Sequence, residues 1–399
     1  MGRTVAARSG TCVTECAPHR QAEPPSGRLL IVVNDPAFFL SHRLPIALAA
    51  RDAGWEVHVA TADGPAREVV IDAGLMHHVL PISRQGLRPD RELRTLASLV
   101  LLFRRLRPDV VHLVTIKPVL YGGIGARLAR VPGVLYAVSG MGSVFVGRGR
   151  RTALLRTMAR WLYRRALGHR NARVLVQNGH DRDSLEQMGA VRDATLIPGS
   201  GVDLSEFRPQ PEGDGPPLVL LPARMLAEKG VEEFVGAARL LRRRGVSARF
   251  QLAGGLDPGN PSAIPESRLR DWHASGHVEW LGHCEDMPRL LADCHIVCLP
   301  SYYGEGMPKS LLEAAAAGRA VVTTDHPGCR DAVLPGESAV LVPPRDAVAL
   351  ADALEALVND PERRLRMGQA GRRLAEERFS LTAVVDAHLA LYRQVLRGP

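Results

Sequence analysis

Residues 295–325 read HIVCLPSYYGEGMPKSLLEAAAAGRAVVTTD. HIVCLPS and AVVTTD are apolar runs of strand length, and from about Pro308 the stretch between them takes on helical spacing. Two strands joined through a helix lie parallel, because a tight hairpin has no room for the helix. The same alternation extends in both directions. Towards the N-terminus of this half it runs through LVLLPA, ARFQLAGG and HVEWLG, and towards the C-terminus it ends on AVLVPP, with helices near 230–244, 266–275, 287–293, 308–317 and 347–357. A Pro, Gly and acid-rich segment, RPQPEGDGPP at 208–217, interrupts the pattern as domain boundaries do. Before it, LLIVVN, EVHVAT, HHVLPI, DVVHLVT, GVLYAVS, RVLVQN and ATLIPGS alternate with helices near 42–53, 65–74, 90–106, 119–130, 151–168 and 181–189. The expected fold is α/β, with two Rossmann-like, doubly wound parallel-sheet domains facing an interdomain cleft. The boundaries are a loose, disordered tail at 1–27, a first domain at 28–207, a linker at 208–217, a second domain at 218–379 and an amphipathic helix at 380–399.

The chain has 399 residues, 46% hydrophobic and 23% charged, a composition that excludes disorder as the main state and leaves room for two cores. The longest apolar candidates, such as Leu96 to Phe103, are too short to cross a bilayer. The first 27 residues lack an apolar run of signal-peptide length. Six cysteines without a Cys-x-x-Cys pair suit a reducing cytoplasm and buried free thiols. The net charge of +9 is uneven: residues 28–210 carry 26 Lys and Arg against 15 Asp and Glu, whereas residues 211–399 carry 22 against 25. The first half therefore suits an anionic partner, either an anionic membrane surface or a nucleic acid. Only three of the 51 cations are lysines, namely Lys117, Lys229 and Lys309.

In the opening segment Glu305 sits in the strand-to-helix loop and Glu313 eight residues on, within the helix. Backbone N–H groups from Gly306 to Ser310 lie at the helix start, where their partial positive charge suits a diphosphate, and Lys309 adds a full charge. A carboxylate beside a sugar or ribose accepts hydrogen bonds from paired hydroxyls. This Glu-x7-Glu spacing, within EGMPKSLLEAAAAGRAVVTTDHPGCRDAV, resembles the retaining glycosyltransferases of sequence family 4, and among them the capsule and O-antigen type enzymes that use lipid-linked acceptors. FFLSHRLPIALAARDAG (38–54), TIKPVLYGG (115–123), SGMGSVF (139–145), IPGSGVDLSEF (197–207) and PARMLAEKGVEEFVGAARLL (222–241) carry the same resemblance.

The resemblance implies a GT-B fold, with donor bound mainly by the second domain and acceptor by the first. It assigns Arg224 and Lys229 to the donor diphosphate, Glu313 to the ribose hydroxyls, Glu305 to the donor hexose near the reacting face, and Gly306 and Met307 to backbone contacts. His283, in the loop after a second-domain strand, falls where the nucleobase slot lies. Fixed cations at the diphosphate lower the barrier to its departure, so neither a metal nor another cofactor is expected. The catalytic candidates are Glu305, Arg224 and Lys229, and the expected donor is a UDP-sugar. The acceptor hydroxyl attacks on the face that the diphosphate leaves, and the diphosphate accepts its proton.

The first domain departs from the family pattern twice. The loop after its first strand reads NDPAFFLSHR in place of a Gly-Gly pair, which passes the phosphate contact to Ser41, His42 or Arg43. Val114 occupies the place of a cleft histidine, leaving His112 either in the cleft or in the core. Thr115 and Lys117, at the strand's carboxyl end, and Gly140, Met141 and Gly142 complete the cleft candidates. In HDRDSLEQMG, Asp181 reads as a helix cap rather than a metal ligand. Residues 146–173 hold nine arginines and no acid. With Leu154, Leu155, Met158, Trp161, Leu162 and Ala166 expected on one side, Arg148, Arg150, Arg151, Arg156, Arg160, Trp161 and Arg164 form a candidate membrane-surface helix. Nucleic-acid binding would need more interleaved aromatics than Trp161 and Tyr163.

The function expected is transfer of a hexose or N-acetylhexosamine to an undecaprenyl-diphosphate-linked saccharide, at the inner face of the plasma membrane, in surface polysaccharide synthesis. The alternatives are a soluble acceptor or an epimerase on the same fold, a non-catalytic scaffold, and a nucleic-acid-binding protein.

Overall fold

A computed structural model of the chain describes residues 27–83, 88–140, 160–302 and 306–398. The seven strands of the first sheet are β1 (Arg28–Val32), β2 (Glu56–Thr61), β3 (Met76–Val79), β4 (Val110–Val114), β5 (Gly133–Val138), β6 (Ala172–Val176) and β7 (Thr195–Leu196). All pair in parallel, in the order β3-β2-β1-β4-β5-β6-β7. The second sheet repeats the plan with β8 (Leu218–Pro222), β9 (Arg249–Ala253), β10 (Glu279–Gly282), β11 (Ile296–Leu299), β12 (Ala320–Thr324) and β13 (Ala339–Val342), ordered β10-β9-β8-β11-β12-β13. Helices cover both faces of each sheet. The central strands are accordingly buried on both sides, which explains why they read as unbroken apolar runs. The strand order reverses between β1 and β4 and between β8 and β11, so each sheet opens a crevice at the carboxyl ends of those strands.

Three parts differ from expectation. The helix expected at 42–53 is two helices, Pro36–His42 and Leu44–Asp52, because the Asp35 side chain accepts from the Ala37 and Phe38 amides and starts a helix one loop earlier. A helix at Pro361–Leu374 was not foreseen; its Arg-rich surface hides a stripe of Arg364, Met367, Ala370 and Leu374. Its Arg364 guanidinium is buried and clasps Glu212 of the linker by two nitrogens, at 2.7–3.1 Å. Asn178, rather than Asp181, caps the helix Gly179–Gln187. Its side chain accepts from the Asp181 amide at 2.8 Å, while its own amide group donates to the Asp181 carboxylate at 3.0 Å.

The last helix, Leu381–Arg397, returns to the first domain, where Leu389, Leu391, Tyr392 and Val395 pack against Leu29, Ile31 and Leu135. The two chain crossings are tied together: the Val202 amide donates to the Phe379 carbonyl at 2.8 Å, and the Leu381 amide to the Val202 carbonyl at 3.0 Å.

Candidate active site

The second-domain wall is assembled around the β8–β11 crevice. Arg224 stands just past β8, half exposed, and is ion-paired with Asp257 in the loop after β9. The Arg224 side chain is 46% exposed and that of Asp257 14%, so the guanidinium keeps an open side while its carboxylate partner is largely buried. Lys229 ends a short turn whose Glu228 carbonyl accepts from the Tyr302 amide (3.0 Å) and the Ser301 hydroxyl (3.1 Å), both just past β11. Gly230 then lies at φ +75°, where a Cβ would overlap the Pro300 carbonyl oxygen. The Arg224–Lys229 loop is thereby held against the loop after β11. Gly254 and Gly255 follow β9; a Cβ on Gly254 would overlap the Ala223 carbonyl, and one on Gly255 would touch the exposed His283 at 3.4 Å.

Lys309 opens the helix Lys309–Ala316, and its ammonium lies 3.3 Å from Glu313, one turn on. Glu313 is buried, and burial raises its pKa against the pull of Lys309. Met307 is buried against Gly199 and Leu312. Gly306 is buried where the domains meet, and a Cβ there would overlap the Gln177 amide oxygen and crowd the Ser139 backbone. Its carbonyl accepts from the Asn178 side chain at 2.7 Å. Glu305 lies outside the described residues.

On the first-domain wall, Thr115 follows β4 at φ +71°, an unusual conformation for a β-branched residue, and its hydroxyl donates to Asn34, just past β1, at 3.1 Å. Strain of this kind, costing about 1–3 kcal/mol, gathers at functional sites. It sits at the reversal point of the sheet. Lys117 pairs with Glu92 at 2.7 Å, both largely buried. Gly140 follows β5 at φ +97°; Met141 and Gly142 lie outside the described residues.

Ser41 and His42 end the helix Pro36–His42. The His42 ring is half-buried and stacks on Phe38, with centroids 4.1 Å apart. Burial first, then Arg43, Lys309 and Lys229, hold its pKa down to about 3.

Arg43 does not reach the cleft. Its side chain is fully buried beneath it, near Tyr392 and His388 of the last helix. Leaving water lowers its pKa to about 10. The chain turns between two helices at Arg43, so its side chain leaves on the core side while that of His42 stays half-buried. His112 is the core alternative: it is fully buried, and its Nδ1 shares a 2.8 Å hydrogen bond with the Tyr392 hydroxyl.

The arginine-rich segment is described only from residue 160. Over 160–167 the buried residues are Tyr163, Ala166 and Leu167, whereas Trp161 is 63% exposed. Trp161 therefore lies off the apolar stripe on which it was expected, and beside exposed Arg160, Arg164 and Arg165. Arg164 donates to the Met188 carbonyl at 2.6 Å. Arg148, Arg150, Arg151 and Arg156, with Leu154, Leu155 and Met158, lie outside the described residues.

Sequence reading missed Asp257, Asn34, Gln177 and Asn178. Asn178 alone left a signal, as a cap residue opening NGHD before a helix.

Residues 28–169 match the family model "Glycosyl transferase 4-like", and residues 203–374 match "Glycosyl transferases group 1". Among curated relatives, an N,N'-diacetylbacillosaminyl-diphospho-undecaprenol alpha-1,3-N-acetylgalactosaminyltransferase of Campylobacter jejuni is 29% identical over 382 residues, covering 90% of this chain and 99% of the relative. A capsular polysaccharide biosynthesis glycosyltransferase of Staphylococcus aureus is 22% identical over 365 residues, covering 87% and 92%. An Anabaena protein solved with UDP and glucose superposes with a TM-score of 0.73 at 18% identity, covering 92% of this chain and 99% of that one, and shows the same two-domain fold.

Proposed function

Because this chain belongs to the glycosyltransferases, with a 4-like first half and a group 1 second half, we propose that it transfers a hexose or N-acetylhexosamine from a UDP-sugar to an undecaprenyl-diphosphate-linked saccharide, with retention and without a metal. The observation that carries this reading is the pair Arg224 and Lys229, held by backbone hydrogen bonds at the reversal point of the second sheet. Departure of the nucleoside diphosphate builds negative charge. Cations fixed before the reaction stabilise that charge without reorganisation. Glu313, steadied by Lys309, is placed one turn inside the helix to accept from ribose hydroxyls. The diphosphate takes the acceptor's proton as it leaves. The Campylobacter relative supports the lipid-linked acceptor, and the Anabaena complex supports UDP.

A membrane surface fits the first domain. No helix among the described residues is long and apolar enough to cross a membrane. The helices Pro89–Leu106, Gly123–Ala129 and 160–167 lie side by side: Arg104 donates to the Leu128 carbonyl at 3.4 Å, and Gly123 abuts the Ala166 carbonyl. Together they expose Leu93, Leu101, Leu128 and Trp161 among Arg94, Arg104, Arg105, Arg160 and Arg165. Apolar tips ringed by arginines suit the headgroup layer of an anionic bilayer, at the cytoplasmic face where lipid-linked saccharides are built.

The test is sugar transfer from UDP-glucose, UDP-GlcNAc or UDP-GalNAc to a polyprenyl-diphosphate-linked N-acetylhexosamine, with the Arg224→Glu variant beside it. Transfer by the wild type in the presence of EDTA, abolished by Arg224→Glu in a folded protein, is expected. An active Arg224→Glu variant overturns the assignment. Flotation with phosphatidylglycerol vesicles, absent with phosphatidylcholine, is expected from the basic face; a soluble acceptor would give neither.

A further inference from the structure

We infer that Asn178 is a positioning residue for the donor loop: reaching across from the first domain, its side-chain amide holds the Gly306 carbonyl and thereby sets the direction of the Met307 N–H; this rests on the donor reading above. Gln177 and Asn178 follow β6 and are buried, with 4% and 1% of their surface exposed. The orientation of the Asn178 amide is fixed by its partners. A backbone N–H only donates, so the side-chain oxygen is the atom that meets the Asp181 amide at 2.8 Å. The nitrogen then has one hydrogen for the Asp181 carboxylate at 3.0 Å and one for the Gly306 carbonyl at 2.7 Å. Turning the amide over would set its oxygen against a carbonyl and a carboxylate.

Two further features bring the segments this close. Gly306 has no side chain: a Cβ there would overlap the Gln177 amide oxygen and lie 2.9 Å from the Ser139 carbonyl carbon. One residue after Asn178, the Gly179 amide donates to the Asp331 carboxylate of the second domain at 3.0 Å, at the positive end of the helix Gly179–Gln187. This second bond joins the two domains beside Asn178 without touching the donor loop. The peptide between Gly306 and Met307 is trans and planar, so its C=O and N–H point in opposite directions. Holding the Gly306 oxygen against Asn178 therefore turns the Met307 N–H away from that amide, and the N–H has no acceptor among the described residues. Two residues ahead of Lys309, it is left for an oxygen of the nucleotide-sugar. The donor site thus takes one of its backbone directions from the opposite domain.

Two variants separate this role from simple domain docking. Asn178→Ser keeps a helix cap and loses the reach to Gly306, whereas Asp331→Ala cuts the neighbouring bond between the domains and leaves the Gly306 carbonyl held. In 1H–15N spectra of protein labelled at its nine methionines, with Met307→Leu identifying the signal, the Met307 amide is expected to shift in Asn178→Ser and to keep its place in Asp331→Ala. An unmoved Met307 signal in Asn178→Ser overturns the inference whatever the substrate. In transfer assays with the UDP-sugar that wild type uses, among UDP-glucose, UDP-GlcNAc and UDP-GalNAc, Asn178→Ser is expected to raise the donor KM about tenfold, the loss expected for one hydrogen bond to a charged oxygen. Its acceptor KM should stay within about twofold of wild type and its melting transition should be retained. Asp331→Ala should leave the donor KM within about twofold. An unchanged donor KM in Asn178→Ser contradicts the inference, as does an equal rise in Asp331→Ala, which would make the effect one of docking rather than of the Gly306 peptide. A wild type inactive on all three donors would count against the proposed function, while the Met307 signal would still decide whether Asn178 sets that amide.

Discussion

Glu212→Ala isolates the contact that fixes the linker to the second domain. Arg364 is 5% exposed, and its guanidinium has two kinds of partner: the Leu357 and Val358 carbonyls on Nη1, at 2.7 and 2.9 Å, and the Glu212 carboxylate on Nε and Nη2. Truncating Glu212 removes every contact of the second kind and leaves a buried cation with neutral partners only. Breaking a buried pair this way costs about 3–5 kcal/mol. Because the Glu212 side chain keeps 24% of its exposure, the lower end applies, near 3 kcal/mol. At about 2–4 °C per kcal/mol for a domain of this size, the melting point of the second domain should fall by roughly 6–12 °C. Differential scanning calorimetry on wild type, Glu212→Ala, Arg364→Met and the double variant reads this directly. The double variant should recover part of the loss, since an apolar side chain of similar length leaves no buried charge. A Glu212→Ala melt within about 1 °C of wild type would refute the reasoning, as would additive losses in the double variant.

Other outcomes follow from single sites. Gly230→Ala should cost at least about 1–2 kcal/mol from the left-handed backbone alone, and the overlap with Pro300 should displace the Arg224–Lys229 loop. The check is a lower melting point together with weakened UDP binding, against a remote control such as Gly245→Ala, where a Cβ meets nothing. Burial holds His112 well below its ordinary pKa and brings His388 and His42 to about 3, with Arg43 acting on all three. The unfolded chain therefore binds more protons between about pH 3 and 6.5. Stability rises with pH across that window and is lost as pH falls, by up to about 1.4 kcal/mol per pH unit for each histidine. Glu313, shifted upward, opposes this in the acidic part of the window. Urea melts from pH 7 to 5 should show the acid loss, and His388→Gln should flatten its slope by one proton.

The two sheets were readable because their central strands are apolar runs buried on both faces, punctuated by turns, and every strand segment from LLIVVN to AVLVPP became one, the exposed edge strands β3 and β7 included. The helix Pro361–Leu374 escaped because its buried stripe is diluted by Arg364 and by Gly368 and Gly371, so its periodicity is weak. Arg43 was misplaced for a related reason. Sequence adjacency to His42 says nothing about which side of a helix junction a side chain leaves from, and the partner that buries it, Tyr392, lies some 350 positions further along the chain. Arg224 and Lys229 were legible through their motif, whereas Asp257 was not, because it arrives from a separate loop after β9. Trp161 looked like part of an apolar stripe, yet the stripe turned inward through Tyr163, Ala166 and Leu167 instead.

The most direct measurement is a thermal-shift comparison of UDP, GDP, ADP and CMP, each with and without EDTA, on wild type and on Arg224→Glu. A ligand that binds only the folded state adds about 2.7 kcal/mol at 100 times its dissociation constant. Wild type should be stabilised by UDP to the same extent with and without EDTA, and Arg224→Glu should lose that stabilisation while remaining folded. No shift with UDP, a shift that EDTA removes, or an undiminished shift in Arg224→Glu would contradict a metal-free diphosphate clamp at Arg224 and Lys229.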